Sequence, residues 1–334
     1  MIKKIHITIM FLLSTLGALA DTYSGTCGAN LQWEINTETS TIWIYKIDNS
    51  ISDRLMYNFT AGTQPWYKYI QGIKKVHLSE GVQSIGRYAF AGSYSKRSTI
   101  EDVEIPQSLI TIEGYSFCYN SALSRFKLSK SDPMSYPMYN DFGNVETIGP
   151  YAFQYCTSLQ ADEGALALTA PNVHIKALKL EKIGQYAFSD CSGISSFVAP
   201  ELRQIDDYAF AGTGITKMEI SKADSIGNGT FSRCTLTDII RNDKYLVAVP
   251  AMTQGVFEIP EGIEVVCGLA FDNVNIQSVK FPSSIKELRR WSFSHCGIEE
   301  IELPSSISEY PTNCFIECPQ LTKATIPSSV KKMG

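Results

Sequence analysis

The chain has 334 residues, 44% hydrophobic and 19% charged, with a formal net charge of -5. That apolar content supplies a core and excludes a disordered polymer, and a mildly acidic chain without a basic block gives no footing for nucleic acid or anionic lipid as partner. Length alone would suggest two globular domains, an expectation that the repeats described below override.

Residues 1–20 open on Lys3-Lys4, run through an apolar stretch and end at Ala18-Leu19-Ala20. This is the pattern of a cleavable secretory signal with cleavage after Ala20. The run is too short and interrupted to span a bilayer. The expectation is an exported chain, secreted or at the cell surface, with no transmembrane span in its mature form. Loss of Lys3 and Lys4 takes the formal charge from -5 to -7, and the first cysteine, Cys27, lies too far from the cleavage site for a lipoprotein anchor.

Residues 21–72 read as an N-terminal β cap. Leu31-Gln-Trp33-Glu-Ile35 and Thr41-Ile-Trp43-Ile-Tyr45 alternate apolar and polar about a polar Asn-Thr-Glu-Thr-Ser turn, and Pro65-Trp66-Tyr67 adds aromatic cover. Such a unit predicts a β-hairpin that closes the open apolar end of a repeat array.

From residue 73 to 334 the chain repeats. Ile-Gly-Arg-Tyr-Ala-Phe at 85–90 returns in degenerate form, its phenylalanines falling at 90, 117, 153, 188, 210, 231, 271, 293 and 315. The commonest spacing, 22 residues, is one short supersecondary unit stabilised only by stacking on its neighbours. Ahead of most copies lies a strand signature such as Ile73/Val76/Leu78, Ile100/Val103/Ile105 or Ile298/Ile301/Leu303, often closed by proline, as at Pro106, Pro282 and Pro304. The predicted architecture is an α/β solenoid, mostly β: about nine 22-residue coils with parallel strands, the phenylalanines stacked inside, capped by the N-terminal hairpin. Insertions fall at 129–147 and 160–172. The inner pair around 173–182 is open between Val173/Ile175 and Leu178/Leu180, and Tyr245-Leu-Val-Ala-Val-Pro250 predicts an extra strand. The array stops midway through a tenth repeat, and the expectation is that the protein continues beyond Gly334.

These residues resemble the BspA-like leucine-rich repeats, a class common in exported proteins of anaerobic gut and oral bacteria and in some mucosal protists. The linked pattern Leu-x-x-Val-x-Ile-Pro-Ser-Ser-Val-x-x-Ile-Gly-x-x-Ala-Phe-x-x-Cys carries the resemblance over about 73–334. Cys27-Gly-Ala-Asn-Leu-Gln-Trp33 and Pro65-Trp66-Tyr67 are similar to the leader that precedes such repeats. Some copies depart from the pattern. Asp206-Asp207 replaces the glycine turn, Leu288-Arg-Arg-Trp291-Ser-Phe293 and Tyr310-Pro-Thr-Asn-Cys-Phe315 lack it, and Val266-Cys-Gly-Leu-Ala-Phe271 shifts it by one, which leaves the turn geometry of those coils open. The resemblance implies an adhesin-like surface or secreted protein that binds host or bacterial proteins.

Nothing in the chain has the full ligand or residue set of a catalytic or metal site. His77, His174 and His295 form no His-x-x-x-His pair, and His295 and Cys296 face opposite ways on an extended chain. Cys314-Phe-Ile-Glu-Cys318 has a zinc-like spacing without a second pair. Cys156, Cys191, Cys234, Cys296 and Cys318 each follow a repeat phenylalanine by three residues, which reads as a column of small buried side chains. No cofactor and no metal is expected.

Binding is better sought on outward strand positions. One column reads His77, Glu104 and Lys127, then Val198, Glu219, Glu258, Lys280, Glu302 and Thr325; its neighbour includes Lys75, Asp102 and Arg125. Cross-strand ion pairing, worth a few tenths of a kcal/mol each, explains the alternating signs as simply as contacts to a partner do. The inserted Tyr136-Pro-Met-Tyr139-Asn-Asp-Phe142 is a second candidate surface, with folding back onto the coil as its plain alternative. The expected partner is an extracellular or cell-surface protein, glycoproteins included. The rivals are a glycan-binding surface component and the targeting arm of an enzyme whose catalytic domain lies beyond residue 334.

Overall fold

Alternation over residues 31–46 produces strands because one face of each has somewhere to bury. β1 (Thr22–Gly28), β2 (Leu31–Asn36) and β3 (Thr41–Lys46) form an antiparallel sheet. The expected β2–β3 hairpin is present: Thr39 N–H donates to Asn36 Oδ1 at 3.0 Å and Ser40 takes a left-handed φ of 51°. β1 is a third strand that the alternation did not signal. The structure, a computed structural model, describes residues 21–49, 51–129, 140–160 and 175–334. The expected signal segment 1–20, Tyr136, Tyr139, Val173 and His174 lie outside the described residues.

Most coils then contribute a strand on one face and a two-residue strand on a second. These are β4 (Lys75–Leu78) and β5 (Ser84–Ile85), then β6 (Asp102–Ile105) and β7 (Thr111–Ile112). After β8 (Arg125–Leu128) come β9 (Asn140–Asp141) and β10 (Thr147–Ile148), β11 (Ile175–Lys176) and β12 (Lys182–Ile183), β13 (Phe197–Val198) and β14 (Gln204–Ile205), and β15 (Ser225–Ile226). The second face is one six-stranded parallel sheet from β5 to β15, whereas the strand face is divided over the same stretch, into the sheet that β4, β6 and β8 form with the cap and a separate three-stranded sheet of β9, β11 and β13. β3 pairs with β4 in parallel, Trp43 opposite His77, so the cap continues the strand face. The solenoid is mostly β, as expected, and helix among the described residues is limited to one 3₁₀ turn at Tyr67–Tyr69.

Two departures from the 22-residue unit follow from the strand patterns. β8 and β9 both occupy the strand face between Phe117 and Phe153, so the insertion there adds a strand to one face and none to the other. In the region left open, Ile175 pairs opposite Phe197 and is buried with Ala177, while Leu178 is exposed. The extra strand expected near 245–250 forms at Tyr245–Ala248 and pairs in parallel with Val265–Val266.

The repeat phenylalanines stack. Centroid separations run 5.3, 5.3, 5.2, 5.6 and 5.4 Å from Phe90 to Phe231, and 4.6 and 5.2 Å from Phe271 to Phe315. The turn that aims them is not made by the Ile-Gly glycine. It is made by the residue two before each phenylalanine, which is left-handed in all nine copies, from Tyr88 (φ 57°) through Gly229 (60°), Leu269 (64°) and Trp291 (63°) to Asn313 (62°). The copies lacking the glycine therefore turn the same way. The glycine instead permits close approach of a neighbouring coil: a Cβ on Gly184 would lie 2.6 Å from Pro150 N. With the phenylalanine and the residues two before and two after it donating their N–H groups to the next coil, as Tyr151, Phe153 and Tyr155 do to Gln185, Ala187 and Ser189, the turn backbone is satisfied between coils.

The cysteine column has a second role beyond filling space. Cys156, Cys191, Cys234 and Cys318 each direct Sγ at the carbonyl of the preceding coil's phenylalanine, at 3.2, 2.9, 3.2 and 2.9 Å. All nine cysteines are free. Burial pushes the thiols up, Cys296 to about 11 and Cys118 to about 12, which keeps them protonated donors.

Candidate interaction surface

On the strand face, inward residues such as Val76, Val103 and Phe126 fix the register, and the outward ones fall into line. Lys75, Asp102 and Arg125 stand opposite one another, as do His77, Glu104 and Lys127. Three of the residues singled out from sequence are thus brought together. Trp43 extends their line into the cap, its ring 4.1 Å from that of His77 and its residue 41% exposed. The sequence signal was available, since Trp43 is out of phase with the buried Ile42 and Ile44.

Charge in this patch is internally paired. Arg125 Nη2 lies 3.2 Å and Lys127 Nζ 3.6 Å from Asp102 Oδ2, Lys127 Nζ lies 3.3 Å from Glu104 Oε1, and His77 Nδ1 lies 2.9 Å from Glu104 Oε2. The His77 hydrogen bond, reinforced by Lys127 and opposed by partial burial, holds the Glu104 carboxyl down at about 2. The ion-pairing explanation of the alternating signs is therefore realised, and the outward side chains form a pre-ordered polar network. Further along, Lys176 lies 3.8 Å from Asp141, two residues the sequence columns did not include.

The remaining sequence candidates sit elsewhere. Glu219 accepts from its own Ser221 N–H at 3.1 Å, and Lys280 pairs with Glu258 at 2.5 Å. Both line grooves that open where strand-face sheets end. One groove, about 570 Å³, follows β13 and is lined by Val198, Lys217, Met218, Glu219 and Ile239. The other, about 610 Å³, follows Ile276–Lys280 and is lined by Lys280, Phe281, Pro282, Glu302 and Pro304. Val198 and Ile239 are 37% and 39% exposed, apolar side chains beside Lys217 and Glu219.

Phe142 is a correction. It is fully buried, stacked on Phe126 at 4.6 Å and edge-on to Phe153 and Phe188. Its neighbours Asn140–Asp141 form β9, so Phe142 continues an inner strand position and offers nothing to a ligand. The folding-back alternative holds for this residue.

A second ordered surface escaped the sequence reading. Tyr88, Tyr115, Tyr151, Tyr186 and Tyr208 form a ladder with ring separations of 4.6, 4.6, 5.1 and 4.9 Å, and Tyr119 and Tyr155 stack beside it at 4.9 Å. The motif shows these tyrosines, but period alone does not show that they are the left-handed turn residues. Along the ladder each inner ring is stacked on both sides, while Tyr155 is 37% exposed. Among the described residues no cluster of three or more His, Cys, Asp or Glu side chains could hold a metal, and no helix is long and apolar enough to cross a membrane.

A family model described as BspA type leucine rich repeat region matches residues 64–160, 167–246 and 252–334. Among solved structures, a leucine-rich repeat protein from Eubacterium ventriosum is 15% identical, with 93% of this chain and 86% of that chain covered and a TM-score of 0.53. The pneumococcal vaccine antigen PcpA is 15% identical, with 92% and 76% covered and a TM-score of 0.51. Both share the fold. No curated protein sequence matches the chain.

Proposed function

We propose that this chain, which belongs to the BspA type leucine-rich repeat family, is an exported, adhesin-like recognition protein of the cell surface or secreted space. It binds an extracellular or cell-surface protein through its repeat surface and performs no catalysis of its own. The observation that carries the reading is the strand face, where Trp43, His77, Glu104 and Lys127 stand on consecutive paired strands with their charges mutually ordered. Polar groups held this way lose little freedom when a partner docks, which lowers one of the costs such an interface must overcome. The exposed Val198 and Ile239 supply an apolar anchor within a polar rim, the arrangement of interface hot spots.

A glycan ligand would favour several open aromatic platforms on one face; the tyrosines of the ladder stack on one another, and the exposed Trp43 packs its ring against His77. The protein reading is therefore preferred. Purified 21–334 immobilised on resin should retain a defined extracellular-matrix or cell-surface protein, and Lys127→Glu together with Val198→Asp should weaken retention at least tenfold. A folded array that retains no surface protein sinks the proposal.

A further inference from the structure

Two Asn-x-Thr triplets occur in the sequence, Asn58-Phe59-Thr60 and Asn228-Gly229-Thr230, the acceptor pattern for attachment of a glycan to an asparagine amide in an exported protein. The structure separates them. Asn58 lies on the exposed segment that borders the first coil; its Oδ1 accepts from Arg87 N–H at 2.7 Å, and its Nδ2 has no acceptor among the described residues. Thr60 is exposed as well, in a turn with Thr63. Asn228 is packed between coils. Its Oδ1 accepts from Gly268 N–H at 3.0 Å, its Cβ leaves no room for a side chain on Gly268, and Thr230 is wholly buried with Oγ1 donating to Gly227 O. A glycan at Asn228 would hold these two coils apart.

A second observation falls on the same segment. Ile51, Leu55 and Tyr57 are 42%, 53% and 50% exposed, an apolar strip ending one residue before Asn58. This segment is also the outer edge of the second face: Gln83 N–H donates to Arg54 O, and Phe59 N–H donates to Arg87 O. Natural β-proteins blunt or cover such edges, and an uncovered apolar edge invites self-association. We propose that Asn58 is an N-glycosylation site and that the glycan covers this edge. The inference rests on the export reading, since the donor is an oligosaccharide carried on a lipid diphosphate in a secretory compartment. Asn58 Nδ2 forms the new bond to the anomeric carbon; the bond from that carbon to phosphate oxygen breaks; the lipid diphosphate leaves with the electron pair; and one amide proton passes to a base of the transferase. No oxidation or reduction is involved.

The test is mass spectrometry of the full chain recovered from the outside of its own cells, before and after an amidase that releases asparagine-linked glycans in heavy-oxygen water. One glycan should be released, with Asn58 converted to labelled Asp and Asn228 unaltered. Thr60→Ala should abolish the modification, and Thr60→Ser, which keeps the hydroxyl, should retain it. An exported chain with unmodified Asn58, or one modified at Asn228 instead, overturns the inference and leaves the export reading standing. A chain found only inside the cell overturns both.

Discussion

The indole of Trp66 stacks on the ring of Phe90 at 5.4 Å and donates Nε1–H to Ala89 O at 2.6 Å, both groups fully buried. Trp33 and Phe59 meet the indole edge-on. Trp66 thus occupies the place that a preceding repeat's phenylalanine would take, closing the column at its N-terminal end. Trp66→Ala should destabilise the first coils by about 3–5 kcal/mol. Hydrogen exchange followed by mass spectrometry should show lost protection around Val76 and Ile85, with coils past Phe188 unaltered, because stability in such arrays is passed from neighbour to neighbour. Uniform loss along the chain would contradict this.

The same reasoning ranks the phenylalanines. Phe153 is fully buried, with stacked neighbours at 5.3 and 5.2 Å, whereas Phe315 is partly exposed and stacked on Phe293 alone among the described repeat phenylalanines. Phe153→Ala should cost about 3–5 kcal/mol and Phe315→Ala roughly half of that or less. Urea midpoints of the two variants, compared at equal m-value, provide the measurement.

Tyr151 shows how a strained backbone is compensated. Its φ is 59°, a conformation costing a non-glycine residue roughly 1–2 kcal/mol, and it is offset by stacking on Tyr115 and Tyr186, at about 0.5–1.5 kcal/mol per ring pair. Alanine at 151 loses the rings and keeps the strain; glycine loses the rings and relieves it. Tyr151→Gly should therefore be more stable than Tyr151→Ala by about 1 kcal/mol. Equal or reversed midpoints would show that the turn is not the strained element.

What the sequence discloses here depends on periodicity. Phe153 and Val103 are legible as core because they recur, and the lines His77–Glu104–Lys127 and Glu258–Lys280 are legible because a parallel ladder maps equal repeat positions onto neighbouring strands. Phe142 is ambiguous in the sequence because it lies in an insertion, where no repeat frame says which side faces in. The left-handed backbone at Tyr151 is not legible because glycine is the usual left-handed residue, while the glycines of Ile-Gly are needed for coil-to-coil approach. Trp43 is legible as a hairpin strand residue but not as a neighbour of His77, because parallel pairing between cap and first coil is a long-range choice that no local pattern encodes.

Glu104 makes the strand face pH-sensitive at its acid end. Its carboxyl is held at about 2, below the ordinary value near 4.3 expected when unfolded, mainly by the hydrogen bond from His77 and then by Lys127. A lowered folded value means the folded chain binds protons less readily than the unfolded one, so the contribution is complete above about pH 4.3 and is lost as pH falls toward 2. The side chain is 36% exposed, so solvent screening keeps the stabilisation modest. Glu104→Gln should flatten the fall of the urea midpoint between about pH 4.3 and 2 relative to the parent, while leaving the neutral-pH circular dichroism spectrum unaltered. If parent and variant lose stability in parallel over that window, Glu104 is not coupled to folding and the network on the strand face is not rigid.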